Sequence, residues 1–445
     1  MVMSKNNKSE EIYKQARKVI IGGVSRNTIF RKPHPHYANT ANGCYITDVE
    51  GNVRTDFANN MAALIHGHSY PPVINAVAEQ LQKGTAYTLA SEIEVAFAQL
   101  LTERVKGLER IRFVNSGTEA VMAMIKASRA YTGRSKIAKA EGTYHGTYDF
   151  AEVSQTSNPS NWGDIDSPTS VALAHGTPNA VIDNVIVFPY NDIERTIAIL
   201  DKQADQIACV LIDPVPHRVG LIPGKSEFIE AIYSWTRKNG ALLVFDEVIT
   251  LRVNYGGAQE NYSVKPDLTA MGKIIGGGFP VGAVAGRADV MKVFDPHQRK
   301  ILFPHSGTFS ANPITMTAGY KAMEFFDSEA VQKLNALTQK AINQIHEVIK
   351  LVDVPVSITG AGSMFRMHLR STPPNTYRET YQTKEVNDVI KELLDFMYCK
   401  ENILMINTFS CMLSTVMTQK EIDKLTEGLL NAFKALKPKI EELYN

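Results

Sequence analysis

Between Ile111 and Val284 short apolar runs alternate with stretches of helical spacing, and this rhythm leaves few architectures open. The strands read as Ile111 to Val114, Ala208 to Ile212, Ala241 to Phe245 and Val281 to Ala285, and the helices as Glu119 to Ala130 and Lys225 to Lys238. Strands that are apolar along their whole length belong to a sheet covered on both faces, so the prediction is an α/β core on a mostly parallel sheet. Around it, Ser9 to Ile21 has helical spacing (Ile12, Ala16, Val19, Ile20) and stops at Gly22-Gly23, an N-terminal arm helix. Tyr37 to Phe57 reads as a β-hairpin turning over Asp48 to Asn52, and Pro71 to Lys83 as an amphipathic helix. After Asn312-Pro313 a long helix, Ile314 to Phe326, leads into an α+β tail ending in a helix from Gln419 to Leu436. The expected division is residues 1–66 as arm and hairpin, part of a smaller domain; 67–313 as the large domain; and 314–445 as the C-terminal small domain. The segment Ser154 to Asn184, rich in Ser, Asn, Pro and Gly, is either an active-site cover or simply mobile.

Composition narrows the partners. Of 445 residues, Lys and Arg number 47 against 46 Asp and Glu, with no long like-charge run, so neither nucleic acid nor an anionic membrane surface is indicated and a small molecule is the default. Cys44, Cys209, Cys399 and Cys411 are far apart and form no paired motif, which fits reduced thiols in a cytoplasm better than a disulfide framework. Met1 to Lys14 is polar, and no later stretch approaches the length of a membrane span, so secretion and membrane insertion are not expected. His34-Pro35-His36 and His66-Gly67-His68 each offer two imidazoles without a third zinc ligand, and no metal is expected.

Two positions carry the chemistry. The run Ala241 to Phe245 places Asp246 at the carboxyl end of a buried strand, where open α/β sheets hold their ligands. A buried carboxylate there needs a cationic partner, and the protonated ring nitrogen of pyridoxal 5′-phosphate (PLP) is one that makes chemical sense. Lys273, followed by Gly276-Gly277-Gly278, then reads as the Schiff-base lysine. Asn115-Ser116-Gly117-Thr118-Glu119 joins a strand to a helix start, so free amides and two hydroxyls face one point, a cup suited to phosphate. The same residues also read as ordinary helix capping, and only the context of Asp246, Lys273 and a second hydroxyl cluster at Ser306-Gly307-Thr308 favours the phosphate. Tyr144, in Glu141 to Gly146, can stack on a flat ring or be an exposed-turn tyrosine; Val248 can press the opposite ring face or be a core valine. The triple glycine lacks the order of a dinucleotide or P-loop motif.

Taken together, FVNSGTEA, EGTYHG, FDEVIT, MGKIIGGGFPVGA and HSGTFSANP resemble the class III (subgroup II, fold type I) aminotransferases, in order and spacing, from Gly22 to about Leu430. The resemblance implies the fold type I PLP-dependent transferase architecture, with a large domain and a smaller α+β domain drawn from both termini. It implies that Lys273 holds the cofactor aldehyde, Asp246 the ring nitrogen, Ser116, Gly117 and Thr118 the phosphate, and that Tyr144 stacks on the ring. It further implies that Thr308 reaches the phosphate of a neighbouring subunit, so the active unit is a homodimer. Within the class the sequence resembles both β-amino acid (β-phenylalanine type) aminotransferases and glutamate-1-semialdehyde 2,1-aminomutase. Gly22-Gly23-Val24-Ser25-Arg26 fits the motif whose arginine binds a substrate carboxylate in the β-amino acid enzymes, whereas Asp213-Pro214-Val215-Pro216-His217-Arg218 departs from the Glu-Pro and small loop of relatives. No arginine occurs between Asn407 and Met412, so Arg26 and Arg218 are the candidates for carboxylate capture, each otherwise a surface or interface arginine. The activity implied is ping-pong transfer from a β-amino acid or related amine to a 2-oxo acid. Intramolecular aminomutase transfer, with Ser154 to Asn184 as a retaining lid, and a silent PLP-fold binding protein are the alternatives.

Overall fold

The computed structural model describes residues 7–444; residues 1–6, the start of the expected arm, and residue 445 lie outside the described residues. Its centre is a seven-stranded sheet in the spatial order Arg110–Val114, Gly282–Gly286, Leu268–Gly272, Leu242–Asp246, Ile207–Ile212, Lys136–Ala140, Val185–Phe188. All pairings are parallel except those of Gly282–Gly286, which runs antiparallel to both neighbours. Only Lys273 to Val281 links that strand to the one before it, too short for the crossover that parallel pairing needs.

Three strands of this sheet escape the sequence pattern for physical reasons. Lys136–Ala140 carries two lysines, Leu268–Gly272 has no β-branched run, and Val185–Phe188 is four residues long, too short to be told from a buried helix segment by its pattern. Burial decides instead: Ile207–Ile212, Leu242–Asp246, Leu268–Gly272 and Gly282–Gly286 are buried at every residue. The helix Gly117–Thr132 lies against this sheet, its Ala120, Val121, Met124 and Ile125 in the same apolar cluster as Leu211, Val244 and Ala270.

The N-terminal segment behaves as expected, with an arm helix Lys8–Val19 capped by Asn7 and strands Tyr45–Asp48 and Val53–Asp56 paired as a hairpin. That hairpin gains Ala38–Asn42 on one side and, in parallel, Ile403–Leu404 from the C-terminal segment on the other. A second small sheet joins Ser357–Ala361, Met364–His368 and Ser410–Met412. The helix after Asn312 runs over Pro313–Phe325, with the Asn312 side chain accepting from the Thr315 amide and proline at the first turn, as helix starts favour. The last helix continues past the expected Leu436 to Glu442 with Pro438 inside it, and Ile440 beyond the proline is buried in the largest apolar cluster. Packing there offsets the lost N–H of the proline.

The segment Ser154 to Asn184, expected as a cover or as a mobile stretch, is tied down by structure of its own, and none of its residues lines either of the two larger cavities described below. It contains the ladder Gly163–Asp164 with Ser167–Pro168 and the helix Asn179–Ile182. The Arg378 guanidinium fastens it by donating to the carbonyls of Trp162 and Gly163, at 3.1 and 2.9 Å, and the Tyr377 hydroxyl donates to Ser157 O at 2.6 Å. The same guanidinium donates from Nε and Nη2 to the two oxygens of Glu141, at 2.9 and 3.2 Å, with Glu141 only 1% exposed. Gly142, next to it, has φ +76° and the Tyr377 ring stands 2.0 Å from where a Cβ would be, so only glycine fits. Arg378→Ala strands a buried carboxylate and is expected to lower stability by about 3 kcal/mol, read from the urea midpoint at unchanged m value. A loss below about 0.5 kcal/mol would place this pair with exposed ion pairs instead.

Candidate active site

The carboxyl ends of Leu242–Asp246, Leu268–Gly272 and Ile207–Ile212 meet the N-terminus of the Gly117–Thr132 helix at one cavity of about 380 Å³. Ser116, Gly117, Thr118, Tyr144, Asp246, Val248 and Lys273 all line it. Two glycines allow the convergence: a Cβ on Gly117 would stand 2.8 Å from Val248 Cγ1, and one on Gly272 would stand 3.2 Å from the same atom. Val248 therefore sits between the helix start and the residue preceding Lys273.

Lys273 opens the turn Lys273–Gly276 with φ +48°, the left-handed region that non-glycine residues seldom adopt and that costs on the order of 1 kcal/mol. Burial pushes its ammonium below the ordinary lysine range, while Asp246 and Asp213 pull it back. Asp246 is 5% exposed and already engaged: Oδ1 accepts from the Val248 amide at 3.0 Å, and Oδ2 meets His145 Nδ1 at 2.8 Å. Burial pushes the His145 imidazole down, against the pull of Asp246. Asp213 lines the same cavity, and burial beside Asp246 pushes its carboxyl well above the usual carboxylate range.

At the helix start, Ser116 Oγ caps the helix by accepting from the Glu119 amide at 3.1 Å, which leaves its own proton to donate. Thr118 Oγ1 likewise accepts from the Thr147 amide at 3.3 Å, and the amides of Gly117 and Thr118 lie in the first turn, where no intrahelical acceptor exists. Donors at a helix start, a buried carboxylate and a lysine around one cavity are the donor set that a phosphate, a protonated ring nitrogen and an aldehyde require, so the residues present fit PLP.

The remaining candidates lie elsewhere. Arg26 lines a neighbouring cavity of about 930 Å³ that shares Asn60 and Gly278 with the first; its Nη1 donates to Asn60 Oδ1 at 2.8 Å, and it has no ion pair among the described residues. Arg218 lines neither cavity; its guanidinium carbon lies 5.3 Å from the centroid of the Tyr144 ring. Thr308 borders a separate recess with Tyr87, Leu89 and Pro313. His217 Nε2 meets the Thr408 hydroxyl at 3.1 Å, and burial pushes the imidazole down to about 3. His36 comes within metal-cluster distance of Asp48 and Glu50, but Asp48 is paired with Arg54 at 2.6 Å and Glu50 accepts from the Ser9 amide and hydroxyl.

Sequence reasoning missed Asp213, His145 and Lys139. Asp213 follows the apolar run Ile207–Ile212 as Asp246 follows its own, so the same signal was present. His145 adjoins Tyr144 but carries no pattern of its own. Lys139 lies inside a strand, 0% exposed, its Nζ donating to the carbonyls of Thr143 and Val153 at 3.0 and 2.6 Å; burial pushes it down to about 7. Nothing in the sequence distinguishes it from a surface lysine.

Residues 30–433 match the family model described as aminotransferase class III. Among solved structures, an omega-transaminase from Sphaerobacter thermophilus superposes with a TM-score of 0.94 at 43% identity, covering 97% of this chain and 98% of that one. A β-phenylalanine aminotransferase from Variovorax paradoxus gives 0.87 at 29% identity, covering 97% and 95%. A transaminase solved with PLP bound gives 0.89 at 35% identity, covering 99% of each. Among curated proteins, the glutamate-1-semialdehyde 2,1-aminomutase of Archaeoglobus fulgidus is 35% identical over 431 residues, covering 96% of this chain and 99% of that protein.

Proposed function

This chain belongs to the class III aminotransferases, PLP-dependent enzymes, and on that premise we propose that it moves an amino group from a β-amino acid or a related amine to a 2-oxo acid. The observation that carries the choice of donor is Arg26, a guanidinium with no ion pair among the described residues, which lines the larger cavity and donates to Asn60, a residue lining both cavities. Its planar fork suits a carboxylate, and the likeness to a β-phenylalanine aminotransferase supports the same donor class.

When bound, PLP supplies an electron sink for the carbanion left as the donor carbon loses its proton. The residues of this chain do the rest. Ser116, Gly117 and Thr118 would hold the phosphate, Asp246 would keep the proton on the ring nitrogen, and Tyr144 and Val248 would pack against the ring. Lys273 would hold the aldehyde and, as a free amine, would take the proton from the donor carbon. Burial favours its neutral form, and its tether keeps the amine at the reacting atom. Arg218, whose guanidinium lies over the Tyr144 ring, would steady the stacking residue and is, by our reading, a second carboxylate candidate. Thr308, away from its own chain's cavity and beside the exposed Leu89 and Phe309, is assigned to the phosphate of a second copy, so the working unit is a homodimer.

Arg26→Ala is expected to raise KM for carboxylated donors about 10- to 100-fold, the worth of one charge-assisted contact, and to leave simple amines nearly unchanged. Equal effects on both donor types remove Arg26 from carboxylate binding. A second reading, intramolecular transfer of the aminomutase type, is favoured by the curated relatives, several of them aminomutases at 32 to 36% identity. Turnover of a β-amino acid only when pyruvate or 2-oxoglutarate is present supports the transferase; turnover without any oxo acid supports the mutase.

A further inference from the structure

Thr143 Oγ1 lies between two groups. It is 2.7 Å from Ala140 O and 2.9 Å from His145 Nε2, in a pocket where Thr143 is 0% and His145 1% exposed. A carbonyl oxygen has no proton to give, so the short contact with Ala140 O requires the hydroxyl proton to point there. The hydroxyl then has nothing left to donate, and the contact with the ring holds only if Nε2 carries a proton and gives it to the oxygen. A flipped ring loses both contacts, since Nδ1 and Nε2 are the two atoms that meet Asp246 and Thr143. Lys139 keeps the arrangement in place by holding the carbonyl of Thr143 itself.

We propose that Thr143 is a positioning residue that fixes the Nε2–H form of His145, so that the 2.8 Å contact between Nδ1 and Asp246 Oδ2 is the one place where the pair gains or loses a proton. With one ring nitrogen permanently protonated, the contact holds a single proton. Placed on Asp246, it makes the acid neutral; placed on Nδ1, it makes an imidazolium beside a carboxylate. When Asp246 is anionic to face the ring nitrogen, as the proposed function requires, His145 is therefore cationic and the pair is neutral overall. A histidine free to choose its tautomer would instead turn a lone Nδ1–H to the carboxylate and leave the pair with a net negative charge. The proton count beneath the cofactor is thus set two contacts away from it.

The test is nitrogen NMR of the ¹⁵N-histidine-labelled holoenzyme and of the same protein stripped of cofactor, with the His145 signals identified by their loss in His145→Asn. The expected wild-type result is a proton-bearing Nε2 at neutral pH in both forms. In Thr143→Val the buried Nε2–H loses its acceptor, a costly state, so that proton is released to solvent while the proton of the other contact stays on Nδ1 facing the Asp246 carboxylate, and Nε2 takes the shift of a bare ring nitrogen. Thr143→Ser keeps the wild-type pattern. A bare Nε2 in the wild type, or an Nε2–H retained in Thr143→Val, overturns the proposal, and the wild-type spectrum decides even if the valine variant does not fold. Cofactor loading, followed separately by absorbance, reports on the proposed function itself, so failure of one reading is distinguishable from failure of the other.

Discussion

Lys273→Ala is expected to cut turnover roughly 10⁴-fold or more while the protein still folds and still takes up cofactor. On the proposed assignment the variant removes both the covalent attachment and the tethered base, and among the described residues no other lysine lines the cavity. Lys139 is fully buried inside the sheet with both its carbonyl acceptors in the segment 141–153, whereas Lys273 lines the cavity. Phosphate and ring contacts survive, because Ser116 to Thr118 and Asp246 stand on other elements. The left-handed φ of residue 273 is borne by alanine at a cost similar to that for lysine, so folding is little affected. Cofactor absorbance after gel filtration and steady-state rates check both halves. Loss of less than about tenfold contradicts the assignment.

Asp246→Asn keeps shape and hydrogen-bonding size while deleting the charge, and kcat is expected to fall about 10³-fold, the upper range for removing one preorganised electrostatic group from a buried site. The amide still accepts from the Val248 N–H through its carbonyl oxygen, so the strand end is kept. What it cannot do is hold a proton on a ring nitrogen. Rate loss should therefore appear in kcat for every donor alike, unlike the donor-selective effect of Arg26→Ala. A donor-dependent loss, or one confined to KM, would show that Asp246 acts on substrate rather than on the cofactor.

How far the sequence went follows from where each signal resides. Asp246, Lys273 and Ser116 to Thr118 were legible because each sits at a junction that chain order alone defines: the end of a buried strand or the start of a helix. Strands such as Leu242–Asp246 were legible because they are apolar throughout. Lys136–Ala140 was not, since its burial is imposed by neighbours on both sides, and only the folded loop supplies the carbonyls that receive Lys139. His145 and Thr143 were invisible for a related reason: their role is a relation between three groups, Ala140 O, the hydroxyl and the ring, that short spacing does not encode. The segment Ser154 to Asn184 misled because its composition is that of a mobile loop, whereas its order comes from Arg378 and Tyr377, more than 190 residues further along the chain.

The central claim is a covalent link between the cofactor aldehyde and Lys273. Reduction of the holoenzyme with borohydride, followed by proteolysis and mass mapping, tests it most directly: the account predicts one pyridoxyl adduct, on the peptide containing Lys273. An adduct on the Lys139 peptide or any other, or no adduct at all in protein that carries the cofactor, contradicts it.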